Sequence, residues 1–276
     1  MDANISNREL IVFRKLDAFF GSAFIKSTLP FFVLILLWWV VVKAGVFPRT
    51  FFTGPYEVGE KFLTLVRQGI LTAYLADSLA RLLVGSLTAL AIGIPLGYLI
   101  GLNKFARRAL TPVITFFQAV SDIAWLPILI IWFGFTLTTV NIILIYSIIF
   151  PVMLSIVAGV DSIKGDLVRA GRSLGASRTQ ILFEIILPGS FAFVAMGIRT
   201  GLGYGWRALI GTEIIVGTSG VGFLMFEGRR DGDISVVLVC MIVLAVLWHL
   251  TDTFILAPIE RNTVERWGLI NKVGNK

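Results

Sequence analysis

"GSLTALAIGIPLGYLIG", residues 85–101, contains no charged side chain. With its apolar flanks it reaches the roughly 20 residues that a helix needs to cross about 30 Å of hydrocarbon. Comparable runs recur along the chain, which has 276 residues, 57% of them hydrophobic and only 15% charged. A soluble domain is about 25% charged. The sequence therefore predicts an all-α polytopic membrane protein.

The positions of the apolar runs predict six membrane spans. We expect them at 29–47, 81–102, 110–134, 137–160, 185–209 and 234–258. The first run is longer than the apolar core of a signal peptide, so we expect it to be retained as a span. The chain then divides into an N-terminal segment, 1–28, a transmembrane domain, 29–258, and a C-terminal tail, 259–276.

The net charge of +7 would suit a nucleic-acid surface, but the positions of the charges favour another explanation. If the N-terminus is cytoplasmic, most of the 24 lysines and arginines fall in segments on the cytoplasmic side. This is the positive-inside pattern of membrane proteins. We therefore expect both termini in the cytoplasm and no nucleic-acid partner.

Small residues occur at helical spacing in the second span. Gly93, Gly97 and Gly101 form overlapping G-x-x-x-G patterns, which let helices approach closely. Packing within one bundle is favoured over a seam between two copies. Outside the spans, the apolar spacing after Pro55 predicts an amphipathic helix at the membrane interface. The Gly-rich segment 211–233 is consistent with a re-entrant helix and loop.

The segment 161–184 predicts a helical hairpin in the cytoplasm, between spans four and five. Its first helix has one apolar face, formed by Ile163, Leu167, Ala170, Gly171 and Leu174. Gly175 then ends the first helix, while Ser177 and Gln180 form a capping box that starts the next. A plain solvated loop needs none of these features. The hairpin therefore predicts a docking element, whose contact residues would be Ala170, Gly171, Leu174, Gly175, Ala176 and Ser177.

The hairpin sequence "RAGRSLGASRTQILFEIILP", residues 169–188, resembles the EAA loop of ABC importer permeases. Ala170, Gly175 and the run Ile185, Leu187, Pro188 match the pattern at its spacing. Arg169 replaces the leading Glu of the motif and Gly171 its second Ala, so no role of that acid carries over to this chain.

Three further stretches, at 123–135 ("IAWLPILIIWFGF"), 201–215 and 220–225, are similar to permeases for nitrate, bicarbonate, taurine and aliphatic sulfonates. The resemblance implies a type I ABC importer permease-like fold in a bacterial inner membrane. It implies a homodimer, two ATP-binding subunits seated on the hairpins, and a periplasmic or lipid-anchored solute-binding protein. ATP and Mg²⁺ would bind the partner ATPase, because this chain has no Walker A motif. The chain itself would hold no cofactor and would not be an enzyme.

Charges inside spans are costly and are candidates for the solute pathway. Arg199 and Arg207 lie eight residues apart, on one helix face. Arg199 is expected to have a structural role, whereas Arg207 either lines an anion path or pairs with Glu213 or Asp122. Asp122, Trp125, Trp206 and Arg207 are therefore the pathway candidates. Pro127 should break or kink the third span.

Two other functions remain open from the residues alone. An ion-coupled carrier or channel for a small anion would transport without an ATPase. An intramembrane enzyme would need a catalytic constellation, for which His249 with Asp252 is the one candidate pair, and a structural pair is favoured. A metal site is not expected, because the chain has one histidine and one cysteine.

Overall fold

The computed structural model describes residues 23–46, 48 and 52–260, and this part of the chain is almost entirely helical. Most of the predicted segment 1–28 and of the predicted tail 259–276 lies outside the described residues. In chain order the helices are α1 (Ala23–Lys43), α2 (Pro55–Arg67), α3 (Ile70–Leu102), α4 (Lys104–Ala119), α5 (Leu126–Phe133), α6 (Leu137–Ser162), α7 (Gly165–Ser173), α8 (Arg178–Val216), α9 (Val221–Arg230) and α10 (Ile234–Glu260).

Four of the described helices, α3, α6, α8 and α10, are long and apolar enough to cross a membrane. A bent helix pair, α4 with Asp122–Phe133, adds a fifth candidate. The apolar part of α1, Leu29–Lys43, is shorter than a typical span. The helical membrane fold is thus confirmed, and the prediction of six spans is compatible with these helices. Helix α3 begins before the predicted span 81–102, and α8 extends beyond the predicted span 185–209 at both ends.

The third predicted span, 110–134, is not one helix. Its two halves meet at an angle of 87°, with a 3₁₀ turn at Asp122–Trp125 between α4 and α5. A break or kink was predicted at Pro127; the span is broken, but slightly earlier in the sequence, since α4 ends at Ala119 and Pro127 lies in the first turn of α5. A proline is tolerated there because that turn needs no hydrogen bond from its backbone nitrogen.

Helix α6 is the centre of the bundle, with α3 on one side and α8 on the other. The small residues of α3 allow close contact: a Cβ at Gly97 would lie 2.9 Å from the Cβ of Ile156, and one at Gly101 would lie 3.0 Å from a methyl of Val160. The G-x-x-x-G face therefore packs within one chain, as predicted.

Two short helices cover one end of the bundle. Helix α2 is amphipathic, as predicted, and buries Val58 and Leu65 against the neighbouring helices. Helix α9 buries Val221 and Leu224 between α8 and α10. The ion pair of Lys61 with Asp233, at 2.5 Å, links α2 to the start of α10.

Candidate functional site

The hairpin predicted at 161–184 has a turn fixed by backbone geometry. The backbone N–H of Ala176 donates to the carbonyl of Gly171, and that of Gly175 donates to the carbonyl of Arg172, each at 3.0 Å. These two bonds form a Schellman motif, which requires a left-handed residue after the helix. Gly175 has φ +83°, a conformation that glycine adopts without a steric penalty. The predicted helix stop is confirmed.

The second helix of the hairpin begins at a complete capping box. The Ser177 hydroxyl accepts a hydrogen bond from the N–H of Gln180, and the Gln180 side chain accepts one from the N–H of Ser177. Two of the unpaired donors at the helix start are thereby satisfied. A π-helical stretch, Ile181–Ile186, follows and leads directly into the membrane-spanning part of α8. The turn is therefore held rigidly against a span.

The tip of the hairpin presents an apolar side chain to solvent. Leu174 is 88% exposed, although burying a leucine is worth about 1.5–3 kcal/mol. Gly171 faces α8, where a Cβ would be 3.0 Å from the side chain of Ile185. Of the other predicted docking residues, Ala170, Gly175 and Ser177 are exposed, and Ala176 is partly buried.

Arg169 stands where the similar motif has an acid. In the structure its guanidinium pairs with Asp166 on the same exposed helix face. Both side chains are more than three-quarters exposed, and such pairs contribute little to stability. Arg169 therefore has its ion-pair partner within α7.

At the bend between α4 and α5, a polar cavity of about 410 Å³ opens. Its polar lining comes from the broken span, from α6 and from α8. It is lined by Gln118, Ser121, Asp122, Tyr146, Ser147 and Tyr204, among others. Irregular backbone at membrane depth is tolerated where it lines a cavity or is buried in protein. The broken span fits this condition.

Two aromatic side chains brace the break. The Trp125 indole N–H donates to the hydroxyl of Tyr146 at 2.9 Å, and that hydroxyl donates in turn to the carbonyl of Phe117. A carbonyl freed by the break is thus satisfied. Trp125 lines a separate small cavity with apolar neighbours, next to the polar one. Through its hydrogen bond to Tyr146, Trp125 positions the backbone at the bend.

Asp122 points toward α6. Its carboxylate accepts hydrogen bonds from the Ser147 hydroxyl, at 2.6 Å, and from the N–H of Ile123, at 2.9 Å. A third, longer bond comes from the Ser121 hydroxyl at 3.4 Å, and all three donors are neutral. The expected pairing of Asp122 with Arg207 is not seen.

Helix α8 carries an exposed face with polar residues inside a membrane-spanning segment. Thr200, Tyr204 and Arg207 follow each other at four- and three-residue spacing, and all three are exposed. The Arg207 guanidinium lies 4.7 Å from the centre of the Tyr204 ring, and its Nε donates to the Gly203 carbonyl. Polar side chains at membrane depth face the bundle interior or a water-filled space. This face is the second candidate wall of a pathway.

A second polar cavity, of about 400 Å³, lies beside this face and includes Tyr204 and Arg207. Since Tyr204 also lines the cavity at the bend, the two cavities share one residue. We call them together the polar path. A larger cavity of about 520 Å³, between α2 and α10, has almost wholly apolar walls and offers little to an ionic solute.

Arg199 is held by two carboxylates of α10. It donates to both oxygens of Asp252, at 2.6 and 2.7 Å, and to Glu260. A fork of this kind satisfies the guanidinium and joins the ends of two spans. The structural role expected for Arg199 is therefore supported by its contacts. Asp252 is engaged in this pair, which removes it from the catalytic pairing considered with His249.

A buried ion pair that the sequence did not predict joins α3 to α8. Arg81 of α3 donates to Glu213 of α8 at 2.8 Å, and Glu213 is 1% exposed. The alternative in which Arg207 pairs with Glu213 is therefore not supported, because Glu213 pairs with Arg81. Glu213 also accepts hydrogen bonds from Ser78 and from the N–H of Gly222. The sequence signal for this pair was that Arg81 and Glu213 are charged residues beside apolar runs.

The same pair anchors the loop between α8 and α9. Arg81 donates to the carbonyl of Ser219 at 2.6 Å, and Val221 donates its N–H to Ser78. Gly220 has φ +102°, and a Cβ there would lie 2.2 Å from a carboxylate oxygen of Glu213. Only glycine fits this close approach.

Trp206 had been predicted as a pathway residue. It is buried, and its ring lies 5.9 Å from that of Trp248 in the core between α8 and α10. It therefore supports the packing of α8 from the side away from Arg207. A tryptophan beside a pathway residue on a helix points in another direction, because neighbouring positions differ by about 100°.

Comparison with known proteins gives the family. The family described as "Binding-protein-dependent transport system inner membrane component" matches residues 93–257. The chain is 38% identical over 226 residues to the taurine transport system permease protein TauC of Escherichia coli (strain K12), covering 80% of this chain and 82% of the relative.

Other relatives are more distant. The putative aliphatic sulfonates transport permease protein SsuC of Bacillus subtilis (strain 168) is 29% identical and covers 81% of each chain. The nitrate import permease protein NrtB of Synechocystis sp. is 29% identical, covering 64% of this chain and 65% of the relative.

The fold is similar to that of a chain from an inward-facing MetNI methionine ABC transporter. The TM-score is 0.60 at 20% identity, covering 70% of this chain and 95% of the other. The type I ABC importer permease-like fold is thereby confirmed. The chain belongs to the family of binding-protein-dependent transport system inner membrane components, and it is an integral protein of the inner membrane.

Proposed function

We propose that two copies of this permease enclose the pathway of an ATP-driven importer for a small solute with an oxyanion group. The observation that carries the proposal is the exposed polar face of α8. Thr200, Tyr204 and Arg207 cannot face lipid without a large cost, so a second copy is needed to cover them. In this homodimer the polar path would lie next to the interface between copies.

The hairpin would connect the permease to an ATP-binding subunit, with both termini of the chain on the same cytoplasmic side. The support is its rigid, capped turn and the exposed Leu174 at its tip. An exposed apolar anchor on a preorganised element is typical of a binding surface. The ATPase would supply the site for ATP and Mg²⁺, and two such subunits would serve the homodimer. Their closure would move the two hairpins and reorient the spans.

The solute class is supported by the relatives and by Arg207. The names of three relatives contain taurine, sulfonates and nitrate, and each of these solutes carries an oxyanion group. A guanidinium is suited to such groups, because its donors match two oxygens at once. Delivery would be by a periplasmic or lipid-anchored binding protein, in keeping with the family description.

Reconstitution tests this function. Proteoliposomes holding the permease and its ATPase, with ATP inside and the binding protein outside, should accumulate a labelled sulfonate or nitrate. Liposomes with the permease alone should not. Uptake by the permease alone, driven by an ion gradient, would instead establish the carrier alternative.

A further inference from the structure

Three charged side chains, which we call the clamp, join α8 to α10 beside the polar path. Arg199 of α8 donates from Nε and Nη2 to the two oxygens of Asp252, and from Nη1 to Glu260. All three side chains line the cavity of about 400 Å³ and are only partly buried. Trp206 and Trp248 pack together farther along the same helices. Helices α8 and α10 are therefore antiparallel, and the clamp lies on the side of the hairpin.

The helix between the two carboxylates of the clamp is not a regular α-helix. The stretch Asp252–Leu256 is π-helical, and the N–H of Ala257 donates to the carbonyl of Asp252, five residues earlier. Such a turn holds one residue more than an α-helical turn would. π turns inside α-helices are rare and are frequently found at functional sites. This one lies entirely between the two acids that Arg199 binds.

The π turn determines the direction in which Glu260 points. Glu260 follows Asp252 by eight residues. In a regular α-helix, at about 100° per residue, the two side chains would point about 80° apart. When the π turn takes up one residue, the remaining seven steps bring the two directions within about 20°. The π turn therefore places both carboxylates on the face toward Arg199.

A second π turn lies on the other helix of the clamp. The stretch Ile181–Ile186 connects the hairpin to the part of α8 that carries Arg199. Both helices that the clamp joins thus contain a turn whose hydrogen-bond register differs from that of the rest of the helix. Register shifts within helices occur on the timescale of microseconds to milliseconds, as do the collective motions of domains.

We propose that the π turn of α10 is a register switch, which closes the clamp in the π form and releases it during transport. Conversion of this turn to a regular α-helix rotates the residues after it by about 100°. Glu260 then leaves Arg199, while Asp252 stays in place. The inference rests on the proposed function, since a permease has to move its spans against each other to carry a solute.

Deleting Phe254 removes the switch and keeps the clamp closed. Phe254 is an exposed residue of the π turn, and without it Asp252 and Glu260 are seven residues apart on a regular helix, again within about 20°. Uptake of a labelled sulfonate or nitrate is measured with the complete complex, binding protein and ATP in proteoliposomes. The deletion should lower uptake about tenfold, because the charged hydrogen bonds of the clamp no longer open. Phe254→Ala removes the same side chain without changing the register, and should leave uptake unchanged.

Removing one acid should reverse the effect of the deletion. Deletion of Phe254 together with Glu260→Gln leaves one carboxylate on Arg199, so uptake should return to that of Glu260→Gln alone. Thermal unfolding of the purified permease shows whether the clamp is closed in the deletion variant. Glu260→Gln should lower the melting temperature in that variant as it does in the unaltered chain. Glu60→Gln changes an exposed acid of α2 and should alter neither uptake nor melting.

Glu260→Gln alone gives a measurement that does not depend on the deletion. A clamp that has to open restrains the transport cycle, so its loss should raise ATP hydrolysis by the complete complex in the absence of solute about threefold. Glu60→Gln is again the control and should leave this rate unchanged. If the deletion variant does not fold, this rate decides by itself.

The outcomes separate the switch from the proposed function. Undiminished uptake after the deletion, or a loss that Glu260→Gln does not restore, overturns the switch. An unchanged rate of ATP hydrolysis in Glu260→Gln also overturns it. Failure of the unaltered complex to take up sulfonate or nitrate with ATP contradicts the proposed function. The melting series needs no transport: if Glu260→Gln has no effect in the deletion variant, the π turn does not set the clamp.

Discussion

The hairpin between α7 and α8 and the polar path are specified in different ways. Every contact that shapes the hairpin turn joins residues within five positions of each other, as in the bond from Ala176 to Gly171. The polar path is built from residues of α4, α6, α8 and α10, which are far apart in the sequence. The hairpin is therefore encoded locally, while the path exists only after the spans have packed.

Because the packing of the spans depends on contacts between distant residues, we expect the largest loss of stability when one of these contacts is removed. Arg81→Met leaves the carboxylate of Glu213 buried without its cation, and breaking a buried pair costs about 3–5 kcal/mol. We expect a large fall in the thermal stability of the detergent-solubilised protein. Arg67→Met, an exposed arginine at the end of α2, is the control and should change stability by less than about 0.5 kcal/mol. Equal stability of both variants would show that the buried pair does not hold α3 to α8.

Binding of the ATPase should be more sensitive to changes at the hairpin tip than to changes in the polar path. Leu174→Asp removes the exposed apolar anchor, and loss of an interface anchor costs at least about 2 kcal/mol, or roughly thirtyfold in affinity. Binding of the ATPase is measured with purified permease. Leu167→Asp changes another exposed leucine of α7, one that lies outside the tip, and should alter affinity less than threefold. A greater loss from Leu167→Asp would move the docking surface away from the tip.

The transport step itself should be more sensitive to changes in the polar path than to changes in the hairpin. Arg207→Ala removes the available guanidinium, so we expect uptake of a labelled sulfonate to fall about tenfold, or about 1.4 kcal/mol. ATPase binding should be unchanged, because the side chain lies within the spans. Arg230→Ala, an exposed arginine at the end of α9, serves as the control. Undiminished uptake would exclude Arg207 from the path.

The smallest effect is expected where a local signal is removed from the hairpin. Ser177→Ala deletes the cap of the second helix and should cost about 1 kcal/mol. Hydrogen exchange at Arg178–Gln180 should speed up, while exchange in α6 stays unchanged. A global loss of stability would mean that the turn contributes to the packing of the spans.

The sequence was informative where physical signals are local. Apolar runs predicted the membrane fold, and Gly175, Ser177 and Gln180 predicted the hairpin, because helix ends depend on a few neighbouring residues. A break or kink in the third span was predicted at Pro127, but its position, at Asp122–Trp125, was not. The bend depends on Trp125 and Tyr146 satisfying the freed backbone, and that contact joins two helices.

Charge pairing was the least predictable feature. Arg81 and Glu213 are 132 residues apart, and Glu213 was considered only as a partner for Arg207, its nearer neighbour in sequence. Which charges meet depends on the rotation of α3 and α8 around α6. Helix periodicity places Arg199 and Arg207 on one face, but their different partners, α10 carboxylates for one and Tyr204 for the other, come from packing.

Cross-linking at the hairpin tip tests the central claim most directly. The chain has a single cysteine, Cys240, which is buried, so Leu174→Cys adds one accessible thiol. With the ATPase present, a short thiol-to-amine cross-linker should join Leu174→Cys to the ATP-binding subunit and leave Tyr56→Cys, at the exposed start of α2, unjoined. Cross-linking from Tyr56→Cys but not from Leu174→Cys would contradict the account.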